Sequence, residues 1–364
     1  MSIHASASML FSSFLSVLFC SLLSGCLAPT EDVSLLFVGD THFGESYDSN
    51  NEMLSLLEER GYSDFLNSFS SLLQSADLVI GNLETAVTDI EVSPFEGQKS
   101  YTHWTDIDEA PSTFLEQNMT VFSLANNHSM DYGEEGLEQT LAQLNAYGIQ
   151  TFGAGMDETT ANAPYIQTFN IDNHPTTLAI FGGYQYRQSY DYKYDFYAEE
   201  ESPGVALLSP EFIEEQIKNL ENEYDNLYVM AFPHWGDNYE DVSDEQRELA
   251  HELIDGGVDM IIGHGAHMLQ SIEIYDDHKI VYGIGNFVFN SPGRYQKLDV
   301  DPYSAIASLV LSSGEPTLRL YPIYSDNLVT DYHARFLTED EFTNISLTNE
   351  NTTGQDEHGH FIEL

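Results

Sequence analysis

From residue 34 onward the chain repeats one pattern: an apolar run of strand length, a polar cluster, then a stretch of helical periodicity. This is how βα units read. The apolar runs predict strands over 35–39, 78–81, 121–125, 177–182, 227–232 and 260–263, with further β runs at 272–275, 279–284, 306–311 and 318–323. Ser209-Pro210 sets an N-cap residue before proline at the first helical position, ahead of Phe212, Ile213, Ile217 and Leu220 at helical spacing. Ser243-Asp244-Glu245-Gln246 reads as a capping box opening a helix that Gly256-Gly257 closes, and 134–147 forms a third helix on Leu137, Leu141 and Leu144. A mixed α/β sheet sandwiched by helices is the economical arrangement. One domain is expected over 34–325, followed by an acidic extension over 326–364 in which Thr338-Glu339-Asp340-Glu341 caps a short helix.

Two stretches break the rhythm. Residues 86–111 form a long polar insertion, and 184–203 carries Tyr184, Tyr186, Tyr190, Tyr192, Tyr194 and Tyr197. Loops this long inside a domain are functional or disordered. The tyrosines suit either a lid that stacks on substrate or aromatic packing over the domain edge.

The first 25 residues contain no Asp, Glu, Lys or Arg, and 9–23 is a nearly continuous apolar run. That run is short of the roughly 20 residues a membrane span needs. It ends in Leu23-Ser24-Gly25-Cys26, which resembles a bacterial lipobox. The expectation is a lipoprotein signal peptide over 1–25, a lipidated Cys26 at the head of a short 26–33 linker, and export to the outer face of the cell membrane. An uncleaved anchor or an ordinary signal peptide is the alternative, because the segment before the apolar run lacks Lys and Arg. The other cysteine, Cys20, would leave with the signal, so no structural disulfide is expected.

Charge narrows the partners. Sixty acidic residues face 11 basic ones, a net charge of −49. Such a surface repels nucleic acid, whose recognition depends on Lys and Arg neutralising phosphates. Disorder is excluded by 42% hydrophobic content with 21 Phe and 22 Tyr.

Chemistry gathers just beyond the predicted strands: Asp40-Thr41-His42, Asn82-Leu83-Glu84, Asn126-Asn127-His128 with Asp131, His234-Trp235-Gly236, and His264-Gly265-Ala266-His267. Ligands bind at the carboxyl ends of strands in open α/β sheets, so these five loops are expected to converge. Imidazoles, carboxylates and an Asn carbonyl suit a borderline divalent cation such as Zn, Mn or Fe, and seven or eight donors are enough for two ions.

These motifs, with Gly39-Asp40, Gly81 before Asn82, Ala125 before Asn126, Asp131-Tyr132-Gly133 and Gly285-Asn286-Phe287-Val288-Phe289, occur in the order of the CapA-like poly-γ-glutamate capsule-synthesis family. The resemblance covers about 34–289. It implies the fold of calcineurin-like metallophosphoesterases, a four-layer β-sandwich flanked by helices. It further implies metal ligands at Asp40, His42, Glu84, Asn127, His234, His264 and His267, catalytic roles for His128 and Asp131, and substrate contacts at Asn82, Asn126, Trp235 and Asn286; Arg187, outside these motifs, is a further expected substrate contact. For Asn286 a turn-fixing role is the alternative. The chain departs from the family pattern in having Asp237-Asn238-Tyr239 where a Glu often follows His-Trp-Gly, and Ala266 where a Pro often precedes the last histidine.

Three functions fit this reading. The first is an exported, lipid-anchored protein of capsule or exopolymer assembly with a metal-dependent hydrolase site. The second is a non-catalytic polymer-binding component attending membrane synthase and export subunits, and the third a general exported metallophosphoesterase. An anionic polymer meeting so acidic a protein requires bound cations, screening salt, or a local cluster such as Arg187 with Arg294. Self-repulsion of this size also implies a saline setting, since the Debye length falls to about 3 Å at 1 M salt. The thermal midpoint is therefore expected to rise between low and molar salt; a flat or falling midpoint contradicts that reading.

Overall fold

The computed structural model describes residues 32–47, 52–345 and 352–364; the expected signal peptide and Cys26 lie outside the described residues. Strand Val33–His42 sits in the middle of a ten-stranded mixed sheet. On one side it pairs in parallel with Leu78–Leu83, followed by Met119–Ser123 and Gln150–Phe152. On the other it pairs antiparallel with Tyr303–Leu311, which continues to Thr317–Tyr324 and then to His360–Glu363 and Thr352–Gln355. The second sheet has six strands, in the order Ile272–Tyr275, His278–Val281, Met260–Ile262, Leu227–His234, His174–Tyr184 and Tyr165–Ile171.

Strand alternation explains why the two sheets stack. Leu35 and Phe37 point inward to meet Leu178, Ile180, Met230, Phe232 and Ile262 in one buried cluster. Their neighbours Leu36 and Val38 point outward to a second cluster with Leu57, Phe65, Phe69, Leu73, Phe114 and Leu137 from the helical side. In the second sheet Ala179, Phe181, Val229, Ala231 and Ile261 likewise pack on Ile213, Ile217, Leu253 and Ile254, which belong to helices Pro210–Glu221 and Asp244–Asp255. The result is helix, sheet, sheet, helix, a four-layer α/β sandwich. The single mixed sheet read from periodicity is thus two sheets, because strands apolar on both faces fit between a facing sheet and a helix layer equally well.

The expected caps are present. Ser209 accepts from Phe212 N, and Ser243 with Gln246 and Thr338 with Glu341 form reciprocal capping boxes. The segment after 325, expected as an acidic extension, adds strands to the first sheet. Arg335–Phe336 and His360–Glu363 both pair with Thr317–Tyr324, and Phe361 and Ile362 are buried, so the C-terminal residues complete the sheet edge.

Close backbone approach fixes the central strand against the loop before Asn286. A Cβ on Gly39 would meet Gly285 O at 1.8 Å, while one on Gly314 would meet nothing nearer than 3.6 Å. Gly39→Ala is expected to cost at least about 1–3 kcal/mol, the scale of core overpacking, whereas Gly314→Ala should stay within about 0.5 kcal/mol of wild type. Thermal or urea unfolding of both variants checks this, and equal stabilities would contradict the packing described.

Candidate metal centre

Asp40 lies where the central strand loses its regular register. Its pairing shifts between Val38 and Asp40 on one side and between Asp40 and Thr41 on the other. Such irregularities re-aim side chains. The buried Asp40 carboxylate points to where the ends of both sheets meet, with Oδ1 accepting from Asn82 Nδ2 at 2.9 Å and from Gly265 N at 3.1 Å. The approach of the 264–267 loop requires glycine at 265: its φ is +100°, and a Cβ there would lie 2.9 Å from the His234 ring. His267 itself sits at φ 59°, a left-handed conformation uncommon for non-glycine residues and frequent at functional sites.

Two groups of potential ligands share Asp40: Asp40, His234 and His264, and Asp40, Glu84 and His267. In the first, His264 Nδ1 lies 3.2 Å from His234 Nδ1 and 3.4 Å from Asp40 Oδ1. Tetrahedral ligands with bonds of about 2.0–2.1 Å stand roughly 3.4 Å apart, so the spacing suits a metal ion. In the second, His267 Nδ1 is 3.0 Å from Asp40 Oδ2 and His267 Nε2 is 3.7 Å from Glu84 Oε1. Glu84 Oε1 and Asn127 Oδ1 are buried and accept no well-formed hydrogen bond. Unsatisfied buried acceptors are rare unless something else satisfies them, and the donor set is one that divalent transition metals prefer. The residues present fit a divalent metal.

Electrostatics supports the same reading. Burial pushes Asp40 up, but hydrogen bonds and charge from His264 and His267 outweigh it and hold its carboxyl well below the usual range. Burial, and then the charge of Asp40, push Glu84 well above its ordinary value. Burial likewise drives His234 far down, keeping it a neutral imidazole whose lone pair can bind a cation.

Beside these ligands, His128 Nδ1 lies 2.6 Å from Asp131 Oδ2, while its Nε2 faces Glu84 Oε1 at 3.9 Å. The carboxylate places the ring proton on Nδ1 and leaves Nε2 on the ligand side. Asp131 also accepts from His103 N at 2.6 Å and from Lys99 Nζ, and Lys99 donates to Asn127 O as well. Burial raises Asp131 to about 6 against the pull of Lys99.

The structure assembles Asp40, Glu84, His234, His264 and His267 as expected, and it sets Asn127, His128 and Asp131 alongside them. His42 is placed apart from them. It falls outside both ligand groups, stacks on His103 at 4.3 Å, and directs Nε2 toward Trp104 O at 3.3 Å and Ser46 Oγ at 3.2 Å. The broken register after Asp40 separates two residues that a regular strand would aim at one side.

Four expected substrate contacts have partners within the protein. Asn82 bridges Asp40 Oδ1 and Glu84 Oε2 (3.4 Å) and accepts from Asn126 Nδ2 at 2.9 Å, so both amides brace the acids from behind. Asn286 Oδ1 lies 2.9 Å from His267 Nδ1, holding that ring, and Trp235 is core, its Nε1 donating to Tyr282 O at 2.7 Å. Arg187 stands at the rim, 3.0 Å from Asp237 and donating to Gly236 O at 2.6 Å.

Above the ligands opens a cleft of about 380 Å³ whose lining includes His128, His267, Tyr190, Tyr194 and Tyr239. Lys99 and His103 were missed in the sequence. Their signal was a basic residue and a histidine inside a long polar insertion of a chain poor in cations.

Residues 34–291 match the family model described as "Bacterial capsule synthesis protein PGA_cap". The chain is similar to the PGA biosynthesis protein CapA of Bacillus subtilis, 30% identical over 72% of this chain and 64% of the relative. It is also similar to the capsule biosynthesis protein CapA of Bacillus anthracis, 27% identical over 71% of this chain and 60% of the relative. It therefore spans under two thirds of the length of these relatives. Among solved structures, a phosphatase from Mycoplasma pneumoniae aligns with a TM-score of 0.41 and 11% identity, over 86% of this chain and 97% of that one. Matched over most of its length, and with the family's motif residues gathered at one centre, this chain belongs to the bacterial capsule synthesis protein family.

Proposed function

We propose that this protein is an exported, lipid-anchored component of poly-γ-glutamate-type capsule assembly, and that its centre is a dinuclear, metal-dependent hydrolase site acting on the anionic polymer or on a phosphoester. The sharing of Asp40 between two ligand groups carries this reading, since one carboxylate can bridge two adjacent ions. Asp40, His234 and His264 would hold one ion, and Asp40, Glu84, His267 and Asn127 the other; Zn, Mn or Fe suit the donors. Bound there, divalent ions supply Lewis acidity and a nucleophilic hydroxide near neutral pH.

The chain's own residues do the rest. His128 Nε2, oriented by Asp131 through Nδ1, is placed to give a proton to a leaving group or take one from it. Lys99 fixes Asp131 and the Asn127 backbone together. Tyr190 and Tyr194 line the cleft beside these groups. Family membership supports the capsule role, the lipobox-like 23–26 supports anchoring, and membrane synthase and export subunits are the partners this role implies.

Elemental analysis of protein purified without chelator tests the reading. About two ions per chain are expected in wild type, with Asp40→Asn losing most of both and His234→Ala losing chiefly one. His128→Ala is expected to keep its metal and to lose turnover of a γ-glutamyl polymer or a model phosphoester by roughly 10²–10⁴-fold. Metal-free wild type, or full function in Asp40→Asn, would favour a non-catalytic polymer-binding component instead.

A further inference from the structure

One buried cation joins three parts of the chain beside the metal centre. Lys99 comes from the polar insertion over 86–111, and its side chain is 5% exposed. Taking an ammonium out of water is costly unless its charge and protons are met. Nζ pairs with Asp131, donates to Asn127 O, and lies 3.3 Å from His128 Nδ1. It also stands 5.2 Å from the centre of the Tyr190 ring and 5.1 Å from that of Phe196, within the range at which a ring face attracts a cation. The polar partners all belong to the loop that carries Asn127. The rings belong to the tyrosine-rich segment over 184–203.

Near Lys99 the two interrupting stretches are tied to each other. Lys193 Nζ and Tyr194 OH donate to Gln98 O at 2.8 and 3.0 Å, and the Phe95 ring centre lies 5.4 Å from those of Tyr194 and Phe196. The root of the tyrosine-rich segment is held in another way. Tyr184 pairs with His234 in the second sheet, and Gln185 N donates to His234 O at 3.0 Å. His234 is therefore fixed to this segment by backbone pairing, whereas the Asn127 loop meets Tyr190 and Phe196 across the Lys99 side chain. The two ligand groups should respond differently when that side chain is changed.

We infer that Lys99 is a positioning residue through which the tyrosine-rich wall and the Asn127 ion site stabilise each other. This rests on the proposed reading that two ions bind. Tyr190 and Phe196 hold Nζ where it reaches Asn127 O and Asp131, and an ion on Asn127 fixes the same loop through the Asn127 side chain. Such coupling is reciprocal. Metal at the second site orders the wall, and loosening the wall weakens that site while sparing the ion on Asp40, His234 and His264.

The test on the full chain combines a Mn binding titration with hydrogen exchange over 184–203. In wild type, Mn is expected to slow exchange in this segment as the second ion binds. Lys99→Met, which keeps an unbranched apolar stem without the charge, should weaken the second ion about tenfold or more, leave the first nearly unchanged, and speed exchange over 184–203. Phe196→Leu, made on the wall side, should weaken the second ion in the same direction. Lys99→Arg, which keeps the cation over the rings, should restore most of the loss and so separates positioning from a general loss of folding. Two ions held equally well by wild type, Lys99→Met and Phe196→Leu, or exchange over 184–203 that does not respond to metal, would overturn the coupling and leave the two-ion reading standing. A wild type that binds no ion would overturn both.

Discussion

The structure depends on a buried electrostatic conflict: Asp40 and Glu84, both without solvent exposure, are bridged by the amide of Asn82 and surrounded by imidazoles. Burying one carboxylate is costly, and burying two together more so, unless a cation or a proton relieves them. Among the described residues no Arg or Lys pairs with Asp40; His264 and His267 meet that carboxylate instead. Much of the surrounding architecture serves this arrangement. The register breaks at Asp40, the glycine at 265 and the left-handed His267 backbone bring the ligands within range, and Asn126 and Asn286 hold the bracing layer behind them.

The elements that position the centre were legible because each was specified locally. Apolar runs of strand length and capped helices appear at or near the expected positions, and the polar residues following each run do meet at one end of the sandwich. Side-chain direction was not legible. Asp40 and His42 share a strand with irregular pairing on both sides of Asp40, and they meet different partners: His264 and His267 for Asp40, Trp104 O and Ser46 for His42. Trp235 and Asn286 lie beside ligands in sequence, yet their partners, Tyr282 O and His267, are tertiary. The strand His360–Glu363 was hidden in an acidic tail because a short strand with two buried residues carries little periodic signal.

The two stretches that interrupted the βα rhythm supply the cleft's walls. Lys193 and Tyr194 of the tyrosine-rich loop both reach Gln98 O of the polar insertion, and Lys99 lies between Asp131 and the rings of Tyr190 and Phe196. These loops are therefore packed on each other and on the centre. Among the described residues, Lys99, Lys193 and Arg294 line the cleft, although the chain as a whole is strongly acidic.

The central claim is that Asp40 joins its neighbours around divalent metal. An acidic surface binds cations loosely at many places, so the decisive measurement is the metal-dependent change in thermal midpoint of chelator-stripped wild type compared with Asp40→Asn. Specific binding to the folded state stabilises by about 2.7 kcal/mol at a hundredfold excess over Kd. A clear rise on adding Mn or Zn to wild type, largely abolished in Asp40→Asn, is the predicted result; no rise in wild type, or an equal rise in both, would contradict the account.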